Sequence, residues 1–308
     1  MAPWADGIVI PKEAWPILST DGKVGGPDSP QSLEKPGTAV SWELFDDQAA
    51  SFESRAGLPA ELCPLIAEAV LESGKVNRSD VVLEIGPGTG QIGIWIARAA
   101  DYVGLDLSAG MLAEFDRRLK GAQAPATLLI RADAHGSWPL ADGLAKLIFS
   151  SRALHLLPAE HVASEVFRTA APGGATLVVG RVVRDRTSVR SLMAREMMQR
   201  LRSRGFEAHQ GEHETKKLAE ACHQRGGAVL ERATVASWTV SSSPRQSIDS
   251  WRLLRGLGGT PVPEPIRESI LSELEAWAEE RFGGLDAQSE SIESYVLRPV
   301  RIPSAKTD

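Results

Sequence analysis

The chain has 308 residues, enough for one large α/β domain or two modest ones, and its 43% hydrophobic content supports a sizeable core. A formal net charge of −6 leaves no global basic field to attract nucleic acid. No apolar run reaches membrane-spanning length, no basic segment precedes an apolar N-terminal stretch, and Cys63 and Cys222 lack CxxC spacing, so the expectation is a cytoplasmic protein with neither a membrane nor a nucleic-acid partner.

Residues 1–40 form an arm rich in proline, glycine and serine, yet carrying Trp4, Ile8, Val9, Ile10, Trp15 and Ile17. It is too apolar for a simple linker, and the expectation is that it packs on its own chain or on the mate of a homodimer rather than on another partner. Trp42 to Arg55 has helical spacing through Leu44, Phe45, Ala49 and Phe52, and a second helix runs from Ala60 to Glu72. Val81-Val82-Leu83 then leads through Glu84 into Gly86-Pro87-Gly88-Thr89-Gly90 and a helical run with Ile92, Trp95 and Ile96. Such a strand, glycine turn and helix start lets a ligand approach the backbone and meet free N–H groups. Alone it could serve a dinucleotide, a sulfonium cofactor or merely a tight turn. The following segments narrow the choice. Asp106 ends the strand Tyr102 to Leu105, Ser108 starts a helix with Met111, Leu112 and Phe115, and Asp133 follows Leu128-Leu129-Ile130. A fourth strand, Leu147 to Ser151, leads into Arg152-Ala153-Leu154-His155, and Ala171-Pro172-Gly173-Gly174 turns into a fifth, Ala175 to Gly180. Near-continuous apolar strands with helical crossovers imply a doubly wound parallel sheet.

At these residues the chain resembles the class I S-adenosylmethionine-dependent methyltransferases, particularly the bacterial small-molecule branch. The resemblance is specific from about Phe45 to Gly180 and looser up to Arg301. It implies an α/β, Rossmann-like seven-stranded sheet, mostly parallel with an antiparallel last strand, and an inserted helical cap. The methyltransferase domain would span 41–301, with cap segments at about 187–228 and 244–284 and a tail at 302–308. The resemblance also implies the cofactor, S-adenosylmethionine. Glu84, Gly86, Pro87, Gly88 and Gly90 would face its methionine part, with Ser150 and Arg152 beside them. Asp106 would hold the ribose hydroxyls, next to Leu107 and Met111, and Ala132-Asp133-Ala134 would flank the adenine. Physics agrees with the acid, because an ionised carboxylate accepts two hydrogen bonds from a vicinal diol; for a helix cap Ser108 is the better placed residue. The chain departs from the family in carrying Ala145-Lys146 where relatives usually have an aspartate.

Beyond Gly180, Val189, Met193, Met197 and Leu201 form a helical stripe, followed by strand character at Thr234 to Val240, helices at Ser250 to Leu254 and Ile266 to Phe282, and a closing strand at Tyr295 to Val300. The methionines could line a substrate chamber or simply pack. Family resemblance places the region of Trp42 and Phe45 in a lid, so these four residues are the substrate candidates. The arginines at 184, 186, 190, 195, 200, 202 and 204 read mainly as a solvated face, with an anionic substrate as the sharper alternative. His209 and His213 stand at i, i+4, but no third ligand has a standard zinc spacing, so no metal is expected. His155, just past the fourth strand, is the best placed general base, although a structural role at a helix start competes.

The sequence therefore points to methyl transfer onto oxygen or carbon of a small molecule of natural-product type. A degenerate fold that binds without turnover is the alternative from another class. VLEIGPGTG is also similar to the ribosomal adenine dimethylating enzymes, but their Asn-Leu-Pro-Tyr-like motif is replaced here by Ser150-Ser151-Arg152-Ala153. A nicotinamide enzyme is disfavoured by the short GxGxG.

Overall fold

The structure, a computed structural model, describes residues 15–16, 57–120, 126–206, 211–254 and 256–304. Its centre is a set of four parallel pairings among β2 (Val81–Ile85), β3 (Asp101–Asp106), β4 (Thr127–Arg131), β5 (Leu147–Ser151) and β6 (Ala175–Arg184). The order across the sheet is β4-β3-β2-β5-β6, so the chain reverses its direction of travel between β2 and β5. That reversal opens a crevice at the carboxyl ends of these strands.

Alternation along each strand explains why the sequence reads as unbroken apolar runs. Val81, Leu83 and Ile85 face one core with Val103, Leu105 and Ile130, and Val82 faces the other with Tyr102, Leu129 and Phe149. The second core is closed by α1 (Cys63–Gly74), α2 (Gly93–Ala97) and α3 (Ala109–Leu119), through Ile66, Val70, Ile96, Leu112 and Phe115. On the opposite face lie α4 (Ala159–Thr169) and, later in the chain, α6 (Gly211–Gln224), contributing Val162, Val166, Leu218 and Cys222. Both faces are covered, as a parallel sheet requires.

The sheet is larger than the seven strands expected: it has nine among the described residues. Long β11 (Ser289–Ile302) pairs antiparallel with β6 through its residues 293–302, so the expectation of an antiparallel last strand holds. Its other edge is shared by two pieces, β7 (Ala228–Val229) against Val300 and Arg301, and β8 (Ala233–Ser242) against residues 289–297. One strand position is thus split in two. The remaining extra strand is β1 (Trp15–Pro16), antiparallel on Arg131 and Ile130 at the carboxyl end of β4. The rest of the arm, and the helix expected over Trp42 to Arg55, lie outside the described residues.

α5 (Val189–Ser203), α7 (Pro244–Arg252) and α8 (Glu264–Phe282) pack together around Val189, Met193, Met197, Leu201, Ile248, Ile270 and Leu274. A small hairpin, β9 (Gly256–Leu257) with β10 (Thr260–Pro261), adds Leu257 to this core. α7 begins well before the expected Ser250. Ser243 accepts from the Gln246 N–H while the Gln246 side chain accepts from the Ser243 N–H, a reciprocal cap with Pro244 in the first turn. α6 packs on α4 and the turn before it.

Candidate cofactor cleft and active site

The glycine turn lies at the carboxyl end of β2. Gly86 and Gly90 have φ of 69° and 79°, and both have a steric reason to lack a side chain. A Cβ on Gly86 would stand 2.3 Å from Ala153 Cβ, and one on Gly90 would stand 2.1 Å from the Phe115 ring. Gly88 differs, since among the described residues a Cβ there would meet nothing within 4 Å, so its flank is open to them. Asp106, at the end of β3, closes the turn from beside it. One carboxylate oxygen accepts from the Gly88 N–H at 2.9 Å and the other from the Ser108 N–H at 2.9 Å. Ser108 itself caps α3 by accepting from the Met111 N–H at 3.1 Å, so capping does not fall to the acid.

Below the turn, Glu84 is buried and accepts from the Tyr102 hydroxyl at 2.7 Å. Gly93 leaves the room for this pair, as a Cβ there would stand 2.8 Å from Glu84 Oε2. Burial pushes the Glu84 carboxyl from its ordinary 4.5 up to about 8, and the Tyr102 bond offsets only part of that. The ligand-free fold therefore holds a proton on Glu84 that the unfolded chain gives up above 4.5. This contribution to stability is fully present below 4.5 and is lost as pH rises to about 8. Urea unfolding at pH 6 and pH 8.5 is expected to show a wild-type loss of at least about 1 kcal/mol, which Glu84→Gln, neutral throughout, removes.

The other expected cofactor residues are only partly brought together. Glu84, Gly86, Pro87, Gly88 and Arg152 line one small cavity of about 50 Å³. Leu58, Thr89, Gln91, Ile92 and Ser151 complete it, and none of these was singled out from the sequence. Ser150 does not belong there. Its side chain is fully buried and its hydroxyl donates to the Ile85 carbonyl at 2.7 Å, tying β5 to β2. Its neighbour Ser151 faces the cavity instead, because successive strand residues point to opposite sides. Ser151 accepts from the buried Tyr295 hydroxyl at 2.7 Å. On the far side of Asp106, Leu107 is half-buried and Met111 buried at the start of α3. Ala132 and Ala134 flank Asp133, whose exposed carboxylate bonds His135 through its N–H and through Nδ1 at 2.8 Å. That hydrogen bonding draws the Asp133 carboxyl down and raises the His135 imidazole.

A second cavity, of about 220 Å³, opens at the carboxyl ends of β5 and β6 and shares Arg152 with the first. His155, in the single turn Leu154–Leu156, is half-buried on its wall. Arg152 has φ of 64°, uncommon for a residue with a side chain, and its N–H donates to the Gly180 carbonyl at 3.2 Å. Met193 and Met197 lie elsewhere. Both are buried in the core of the α5, α7 and α8 trio, so packing accounts for them and a chamber-lining role does not. Trp42, Phe45 and His209 lie outside the described residues.

The cleft fits S-adenosylmethionine. An open flank beside Gly88, a carboxylate at the end of β3, and a polar pocket with both an acid and a guanidinium meet the needs of a ribose and an amino-acid group.

Comparison with known proteins agrees. Residues 82–174 match the family model described as a methyltransferase domain. The malonyl-[acyl-carrier protein] O-methyltransferase of Marinomonas sp. (strain MWYL1) is 35% identical over 135 residues, 42% of this chain and 47% of that protein. The dimethyladenosine transferase of Saccharomyces cerevisiae is 37% identical over 59 residues, 19% of each chain. The chain thus spans about half, or less, of the length of these curated relatives. Among solved structures, a protein of Bacillus halodurans C-125 superposes with a TM-score of 0.52 at 16% identity, covering 77% of this chain and 98% of that one. The [4+2]-cyclase SpnF does so at 0.51 and 17%, covering 86% and 95%. At such identities these structures support the fold alone. The family match over the glycine turn and the strands that follow it makes residues 82–174 similar to a methyltransferase domain, on a fold shared with these structures.

Proposed function

We propose that the protein transfers a methyl group from S-adenosylmethionine to an oxygen or carbon atom of a small-molecule acceptor. The observation that carries this reading is the closed glycine turn, clamped by Asp106 and open beside Gly88, abutting a second cavity across Arg152. Bound there, the cofactor supplies an electrophilic methyl on sulfur, ready for in-line displacement. The chain's own task is to align and enclose. Asp106 accepts from the ribose hydroxyls, Glu84 and Arg152 hold the charged ends of the methionine part, and residues 132–134 border the adenine. The acceptor occupies the cavity beside His155. We take α5, α7 and α8, with their separate core, as the cap that shapes this side. No helix among the described residues is long and apolar enough to cross a membrane, which suits an acceptor met in the cytoplasm.

The malonyl-[acyl-carrier protein] O-methyltransferase likeness supports methylation at oxygen of a carboxylate or hydroxyl. The dimethyladenosine transferase likeness covers only a fifth of the chain, and Ser150-Ser151-Arg152-Ala153 lacks the side chains that hold an adenine amino group in those enzymes. The test is formation of S-adenosylhomocysteine across a panel of small acceptors. His155→Ala is expected to leave affinity for S-adenosylmethionine nearly unchanged. A fall in turnover of roughly 10²–10⁴-fold at saturating acceptor would make His155 the general base, whereas unchanged turnover would make it a wall residue.

A further inference from the structure

The 220 Å³ cavity is strongly cationic. Arg152, Arg181 and Arg184 stand on its wall with His155 and Thr215. Two carboxylates approach this cluster, and both are already engaged. Glu212 meets Arg298 at 3.2 Å and Arg181 at 3.8 Å, and buried Glu293 meets Arg184 at 2.9 Å and Arg190 at 3.0 Å. Arg181, Arg184, Arg190 and Arg298 therefore share two carboxylates among the described residues.

Arg181 is the least satisfied of these four. Its Nη1 is buried and makes no hydrogen bond, and Glu212 is too far for one. Burial draws the Arg181 guanidinium down, and Glu212 offsets only part of that. A bridge from β6 to α6 would account for the Arg181–Glu212 contact alone. It leaves the idle Nη1 unexplained. Buried charge of one sign is stable when an opposite charge completes it, and guanidinium forks match planar or tetrahedral oxyanions.

We propose that this cavity is an oxyanion subsite that holds a carboxylate or phosphate of the methyl acceptor between Arg181 and Arg184, next to the turn at Arg152. It rests on the reading that the acceptor sits beside the glycine-turn cleft, and it narrows that acceptor to an anionic small molecule. A group fixed there places the rest of the acceptor toward His155 and the cofactor side of Arg152. The subsite selects by charge, so neutral analogues of the same shape are rejected because they leave the buried Arg181 Nη1 without an acceptor.

The test uses the full chain with inorganic phosphate and, separately, acetate as probes, followed by thermal shift at constant ionic strength. Saturable stabilisation by either anion is expected, and the stronger anion names the group. Arg181→Gln should raise the apparent Kd on the order of tenfold or more. Arg184→Gln, at a half-exposed position where Arg190 still pairs Glu293, should do so as well, while exposed Arg232→Gln should not. The titration is repeated with saturating S-adenosylhomocysteine. Retained anion binding places the subsite on the acceptor side, and abolished binding overturns the proposal by assigning the arginines to the cofactor's own carboxylate. Absence of saturable stabilisation, or stabilisation equal in both cavity variants and wild type, also overturns it. Calorimetric binding of S-adenosylmethionine separates the two readings. Cofactor binding without anion binding removes the subsite alone, and anion binding without cofactor binding removes the methyltransferase reading alone.

Discussion

Asp106→Ala is expected to weaken binding of S-adenosylmethionine by roughly 1–3 kcal/mol, on the order of ten- to a hundredfold in Kd. Two effects add. The ionised carboxylate is the acceptor placed for the ribose diol, and charged hydrogen bonds of this kind are stronger than neutral ones. The same carboxylate also holds the Gly88 and Ser108 N–H groups, so its removal frees the turn that must receive the cofactor. Asp106→Asn separates these effects, because it keeps one acceptor oxygen for the backbone while losing the charge. Calorimetric titration of the two variants should place the asparagine between alanine and wild type. A Kd unchanged in Asp106→Ala would remove the ribose assignment.

Gly90→Ala is expected to be strongly destabilising, costing about 2–5 kcal/mol of folding stability from backbone strain and overpacking together. The new Cβ would lie 2.1 Å from the Phe115 ring, and Phe115 is fully buried, edge-on to Tyr102 with ring centroids 5.7 Å apart. Neither ring can yield without disturbing the Glu84–Tyr102 pair below. Gly88→Ala supplies the contrast. It bears a similar positive φ, but the methyl projects into open space, so stability should suffer less while cofactor affinity falls sharply. Urea midpoints and cofactor titrations on both variants check this, and equal effects on the two quantities would show that the Gly88 flank is not the binding face.

What was legible in the sequence was whatever is encoded locally. Val81 to Ala97 announces a strand, a turn and a helix within one short stretch, and the acids that end β3 and follow β4 sit where neighbouring parallel strands bring them to one crevice. The antiparallel last strand followed from the family resemblance. Long-range contacts were not legible. Ser150 and Ser151 are indistinguishable as letters, and only the pleat of β5, together with Tyr295 from 144 positions away, decides which faces the cavity. Arg184 and Arg190 read as part of a solvated face until Glu293, on β11, is found between them. Arg181 drew no notice, because a single arginine in an apolar strand has no period to mark it. Met193 and Met197 lie on an apolar stripe that fits a chamber or a core equally well, and the partners that decide for a core, Ile248, Ile270 and Leu274, lie on α7 and α8.

The central claim is tested most directly by calorimetric titration of the full chain with S-adenosylmethionine and, separately, with NAD. The account predicts saturable, low-micromolar-class binding of S-adenosylmethionine and none of NAD, with the release of about one proton at pH 7 as Glu84 gives up its proton to face a cationic ligand. Absence of S-adenosylmethionine binding, or binding of NAD in its place, would contradict it.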